Sequence, residues 1–311
     1  MRKTNVYISA YLLAYTIAAL VLVLIFNNPP GEILTGFLSF GVGFSFVAWL
    51  LTRNTGDIIA EKPALKNELW LLLSLILWII LYITYGSGFI DSLLSENVLN
   101  NQQAYAFVIL FRKLAVFVVA PFVLYKLAGF SPGDFGLRKP LKEIFSGKNI
   151  LIFFVMSVIA LVFQYFFSNG GQHFRDAHFS FMQMLIGLPL LLLWLFIEVG
   201  LVEELFFRAV LQSRISALVR SNAGGIVMSG IIFGLAHAPG LYLRGFGETE
   251  GITESLPFGF WAAYTVCTMS VAGIFIGIIW SKTKNLYLIM AIHAMVDLIP
   301  NFPDFLHTWK F

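Results

Sequence analysis

Three short stretches of this chain carry ionisable side chains inside otherwise apolar runs. Glu198, Glu203, Glu204 and Arg208 fall within "IEVGLVEELFFR", His237 closes "FGLAH", and His293 and Asp297 bracket "HAMVD". A carboxylate with two imidazoles is equipment for activating water. The carboxylate takes a proton and later returns it, while imidazole polarises the bond or stabilises the oxyanion. No cofactor is required for this. A divalent metal such as zinc is the one group these residues could take: His237 and His293 would become its ligands and the glutamate would stay the base. Both routes lead to hydrolysis, most simply of a peptide bond. Neither a G-x-S-x-G elbow nor an HExxH run occurs, so the signatures of a serine nucleophile and of a standard zinc protease are both missing. Without that scaffold, a metal-free Glu/His route is the simpler expectation.

Helix geometry separates the charges. Each residue of an α-helix turns about 100°, so Glu204 and Arg208 lie one above the other and can pair. Glu203 points away from that pair and has no local basic partner. An unpaired carboxylate in hydrocarbon is either protonated or functional. Glu198 is a polar helix contact or an accessory to a site. A lone intramembrane His237 is more often a hydrogen-bonded core residue. His293 and Asp297, four apart, share a helix face, as suits a histidine oriented by a carboxylate or two metal ligands.

The elements holding these residues are membrane helices. Of 311 residues, 59% are apolar and only 12% charged, whereas soluble domains average about a quarter charged. The net charge of +3 gives no reason to expect nucleic acid, and the single Cys267 excludes an internal disulfide. Runs near the roughly 20 residues needed to span a bilayer occur at 6–26, 33–51, 69–86, 105–126, 149–168, 188–212, 222–238, 258–280 and 285–301, the last being the shortest. They are too long and continuous for a barrel. The expected fold is an all-α, polytopic transmembrane helical bundle of about nine spans. The first run lacks a small-residue cleavage site and reads as a retained span.

Fourteen loop cations, among them Arg2, Lys3, Lys62, Arg138, Lys139, Arg214 and Lys284, fall on the side shared with the N-terminus; Arg175, Arg244 and Lys310 fall on the other. That asymmetry places the N-terminus in the cytoplasm, in an integral multi-pass protein of the plasma membrane. The organisation expected is a four-span region over 1–130, a cytoplasmic linker over 131–148, a helical core bearing the chemistry over 149–301, and a short tail over 302–311. A turn near Ser221 in "RSNAGG" makes the sixth and seventh spans a hairpin, with Glu203, Glu204 and His237 at similar depth. His293 then falls in the same zone, provided the hairpin protrudes beyond the bilayer, as the polar run from Gln212 to Arg220 suggests.

"EELFFR", "FGLAH" and "HAMVD" resemble, in order and in separate helices, the three motifs of the CPBP family. These are the CAAX proteases and bacteriocin-processing enzymes, also called the Abi family and typified by the Rce1 prenyl endopeptidases. The resemblance covers about residues 180–301. It implies an intramembrane endopeptidase whose catalytic residues are Glu203, His237 and His293, with Asp297 at the oxyanion or water site and Glu204 and Arg208 in support. Asp297 stands where the prenyl proteases have Asn. Because an ionised Asp repels an oxyanion, it is expected to orient His293 or to be protonated. The implied partners are the lipid bilayer and a membrane-associated protein or peptide substrate. The alternatives are a non-proteolytic immunity or scaffold protein on the same helices, or a transporter using Glu203 and the histidines as a proton relay.

Overall fold

The computed structural model describes residues 2–56, 62–244 and 255–311. Among the loop cations behind the orientation argument, the side chains of Arg2, Lys3 and Arg244 lie outside the described residues. The described chain is all helix with no strand, and nine of its helices are long and apolar enough to cross a bilayer: Thr4–Ile25, Pro30–Thr52, Glu68–Ser92, Gln102–Leu127, Gly147–Phe167, Phe181–Val219, Asn222–Leu243, Phe258–Thr283 and Leu286–Trp309. Only helices satisfy their own backbone in lipid, so continuous apolar runs of this length have one solution. The eighth and ninth spans form the centre, with 61% of each apolar window buried against 17–22% in the first four.

Three expectations need correction. The ninth span does not stop at 301: the helix runs through Pro300 and Pro303 to Trp309, so 302–309 is helix rather than tail. Proline is tolerated there because neighbouring helices and local adjustments accommodate the freed backbone groups. The seventh span likewise passes Pro239. The polar run after Gln212 is not solvated. Gln212 Nε2 donates to the Gly277 carbonyl at 2.8 Å, Ser213 Oγ accepts from Trp280 Nε1 at 3.0 Å, and Arg214 is 2% exposed.

The sixth and seventh spans do form a hairpin, turned by Arg220 in the left-handed region (φ 52°) before Asn222 opens the next helix. Two glycines set how closely its parts approach. A Cβ on Gly225 would lie 1.8 Å from Ser216 Oγ, so only glycine lets the two arms meet at the turn. A Cβ on Gly200 would lie 2.8 Å from the Met290 carbonyl oxygen, so the sixth and ninth spans touch backbone to backbone beside the polar residues.

The segment between the fourth and fifth spans is docked rather than loose. Phe135, in a short 3₁₀ turn at Pro132–Phe135, is 1% exposed. Lys139 Nζ donates to the Thr283 carbonyl (2.8 Å), Tyr287 Oη to that of Leu137 (3.2 Å) and Asn285 Nδ2 to that of Ile144 (3.2 Å). These bonds fix the segment against the ends of the eighth and ninth spans.

Candidate active site

The sixth span departs from ideal helix where its charges lie. Phe196–Leu201 and Glu204–Gln212 run in wide, π-type turns with i→i+5 hydrogen bonds, and Glu203 stands at the junction between them. Turns of this kind also occur in the first four spans, at Val21–Ile25, Phe37–Phe44, Tyr82–Gly86 and Leu114–Val119, so they do not by themselves mark the site. In the sixth span they replace the 100° step assumed in pairing Glu204 with Arg208, although the pair still forms.

Glu203, His237, His293 and Asp297 converge from three spans. Glu203 Oε2 lies 3.7 Å from His237 Nε2 and 3.9 Å from His293 Nε2. His293 Nε2 is 3.7 Å from Asp297 Oδ2. All three separations exceed a direct hydrogen bond. The far nitrogen of each ring is committed. His237 Nδ1 donates to the Phe233 carbonyl at 2.8 Å, because a carbonyl can only accept. His293 Nδ1 lies 2.6 Å from Glu204 Oε1. Both Nε2 atoms therefore face Glu203, with ring orientation fixed from behind.

That arrangement revises one expected role. The carboxylate bonded to His293 from behind is Glu204, not Asp297, which stands on the Nε2 side with the reacting groups. Glu204 also keeps its expected partner, with Arg208 Nε 3.3 Å from Glu204 Oε2. The two glutamates differ sharply in access. The Glu204 and Arg208 side chains are 0% exposed, whereas those of Glu203, His237 and Asp297 are 17%, 29% and 29% exposed. Adjacent in sequence, one carboxylate is sealed and the other opens to the site.

Two contributors have no clear sequence signal of their own. Phe233 supplies the His237 acceptor, and its ring packs 4.7 Å from the His237 ring and 4.3 Å from the Arg208 guanidinium, joining the first two motifs. Lys113, from the fourth span, forms an ion pair with Glu198. Arg112 beside it pairs with Asp91 at 2.8 Å. The intramembrane Arg112–Lys113 pair could have flagged a helix contact, but nothing local named Glu198 as its partner.

Among the described residues no group of three or more His, Cys, Asp or Glu side chains is arranged to hold a metal ion. What the arrangement offers is one carboxylate oxygen facing two imidazole nitrogens.

Residues 185–299 match the family model described as type II CAAX prenyl endopeptidase Rce1-like. No curated protein and no solved structure matches the chain. The matched segment starts in the sixth span, ends in the ninth and contains every residue of the cluster, while the first four spans lie outside it. The part of this multi-pass membrane chain that builds the site is thus similar to the Rce1-like model, which describes a family of proteases.

Proposed function

We propose that this chain is an intramembrane endopeptidase that hydrolyses a peptide bond of a membrane-associated or lipidated protein by Glu203-activated water. The observation that carries this is the convergence of two imidazole Nε2 atoms on one carboxylate oxygen, with both Nδ1 atoms held elsewhere. A water there donates one hydrogen to Glu203 and the other to His237 Nε2. As its oxygen attacks the carbonyl carbon, Glu203 takes the proton and the carbonyl π electrons move onto oxygen. His293, backed by Glu204, carries a proton on Nε2 and presents it to that oxyanion. When the tetrahedral intermediate collapses and the C–N bond breaks, Glu203 returns its proton to the leaving amine. Asp297 lines the same site on the Nε2 side of His293. Arg208 pairs with Glu204 and holds it in place, four residues further along the sixth span.

The N-terminus faces the cytoplasm and the protein resides in the plasma membrane, with loop charge asymmetry as the support. The test is a comparison of membrane fractions carrying the wild-type chain or Glu203→Gln, searched by proteomics for a cleaved product. A fragment present only with wild type supports the proposal. Identical peptide patterns at equal expression refute it and favour a non-proteolytic role.

A further inference from the structure

A cavity of about 330 Å³ lies at the opposite end of the sixth span's polar stretch from Glu198, between that span, the end of the eighth and the docked segment after the fourth. It is at the small end of the range for small-molecule sites. Five cationic side chains line it: Lys62, Arg138, Lys139, Arg214 and Lys284. The carboxylates near them are fewer and already engaged. Asp134 pairs with Lys62 at 3.1 Å, Glu143 lies 4.0 Å from Lys139, and Glu68 binds Arg214 from behind at 2.5 Å. Arg214 is largely committed, with Nε and Nη2 on Glu68, Nη2 also donating to the Pro63 carbonyl at 2.9 Å and Nη1 to the Lys62 carbonyl at 3.0 Å, so it supplies mainly charge. Arg138 is exposed and has no ion-pair partner among the described residues. Lys284 is held 5.0 Å over the Trp280 ring, which forms a wall of the cavity.

The cavity's height in the fold indicates what reaches it. Trp280 and Lys284 sit where the eighth span ends, and Arg138 and Lys139 lie in the segment joining two spans, so the cavity opens at headgroup level. Basic pockets between helices at that level hold anionic head groups. We propose that this cavity binds a phosphate group, with Arg138 and Lys284 as its principal ligands and Lys139 beside them. It is separate from the Glu203 cluster, and the proposal does not depend on peptidase activity.

The test is native mass spectrometry of the purified full chain titrated with phosphatidylglycerol or with phosphatidylcholine. Wild type should bind the anionic lipid at least about tenfold more tightly, as two cations near an anionic head group imply. The Arg138→Gln/Lys284→Gln pair should narrow that preference to about twofold or less. A control pair at the same end of the bundle, Lys126→Gln/Lys142→Gln, should keep it. The lipid-free melting temperature of each variant is measured alongside; if the pocket pair does not fold, Arg138→Gln alone is read, since that side chain is exposed. Competition by inorganic phosphate at millimolar concentration would assign the site to free phosphate; binding of the lipid without such competition would assign it to a lipid-borne one. Equal binding of both lipids by wild type, full retention in the pocket variant, or equal loss in the control pair would overturn the proposal.

Discussion

The first four spans and the Rce1-like matched segment are both built from apolar helices but are held in different ways. In the first four, most of each helix surface is left to lipid, and polar contact with the rest is confined to a few points. Two of these are ion pairs across long stretches of chain: Glu68 with Arg214, and Lys113 with Glu198. In the Rce1-like segment, the eighth and ninth spans are mostly enclosed, and polar groups bind one another around Glu203. Association in lipid gains nothing from hydrophobicity, so close packing and polar links must do the holding. The third and fourth spans thus act as a collar tied to the sixth span at the two ends of its charged stretch.

Variants can separate the chemistry from the fastening. The largest expected effect is on turnover. Glu203→Gln keeps shape and removes the base, and should cut cleavage by about 10²–10⁴-fold while the melting temperature in detergent stays near wild type. Next is Glu204→Gln, which leaves Arg208 buried beside a neutral group and weakens the hold on His293. Breaking such a pair costs about 3–5 kcal/mol, so it should melt well below wild type and lose activity with it. If Glu203→Gln unfolds while Glu204→Gln is stable and inactive, the two roles are exchanged. A smaller loss, about 2–3 kcal/mol, is expected for Arg214→Met on the collar side. There Glu68 keeps bonds from Tyr125 Oη (2.8 Å) and the Leu65 N–H (3.0 Å). Chemical denaturation should show this loss with the cleavage rate per folded molecule unchanged. A reduced rate per folded molecule would mean that the collar also shapes the site.

The smallest effect concerns pH. Asp134 lies outside the spans. Partial burial works to raise its pKa, but bonds from the Ser131 N–H and hydroxyl and from the Lys62 ammonium outweigh that and hold it below the usual carboxylate range. A depressed folded-state pKa stabilises the fold above the ordinary value near 4, and the contribution is lost as pH falls through the folded value. The melting-temperature gap between wild type and Asp134→Asn should therefore be present at neutral pH and close in acid. A gap that persists below pH 3 would mean Asp134 acts through shape rather than charge.

Much of this arrangement was legible in the sequence. Run length and the Pro/Gly punctuation gave nine spans and the hairpin turn at Arg220–Ser221, and helical spacing gave the Glu204–Arg208 pair. The convergence of Glu203, His237 and His293 followed from depth counting. What stayed hidden depends on partners far away in the chain. Nothing near Arg214 announces Glu68, 146 residues earlier, so a buried Arg214 reads as a loop cation. The wide turns at 196–201 and 204–212 have no local signature, and Lys113, which makes Glu198 a polar helix contact, lies 85 residues earlier. Pro300 and Pro303 look like a helix end in isolation and are overruled by packing against neighbouring helices.

Gly200 carries a consequence for the precision of the site. Its bare Cα lets the sixth span rest directly on the Met290 backbone, three residues before His293 and three before Glu203 on its own helix. The span of 3.9 Å between Glu203 and His293 is therefore calibrated by an absent methyl group. Any side chain at that point would act as a shim, widening the jaws by a fraction of an ångström before a single water could no longer touch both. The site's tolerance is set by the thinnest residue beside it, which itself holds no reactant and carries no charge.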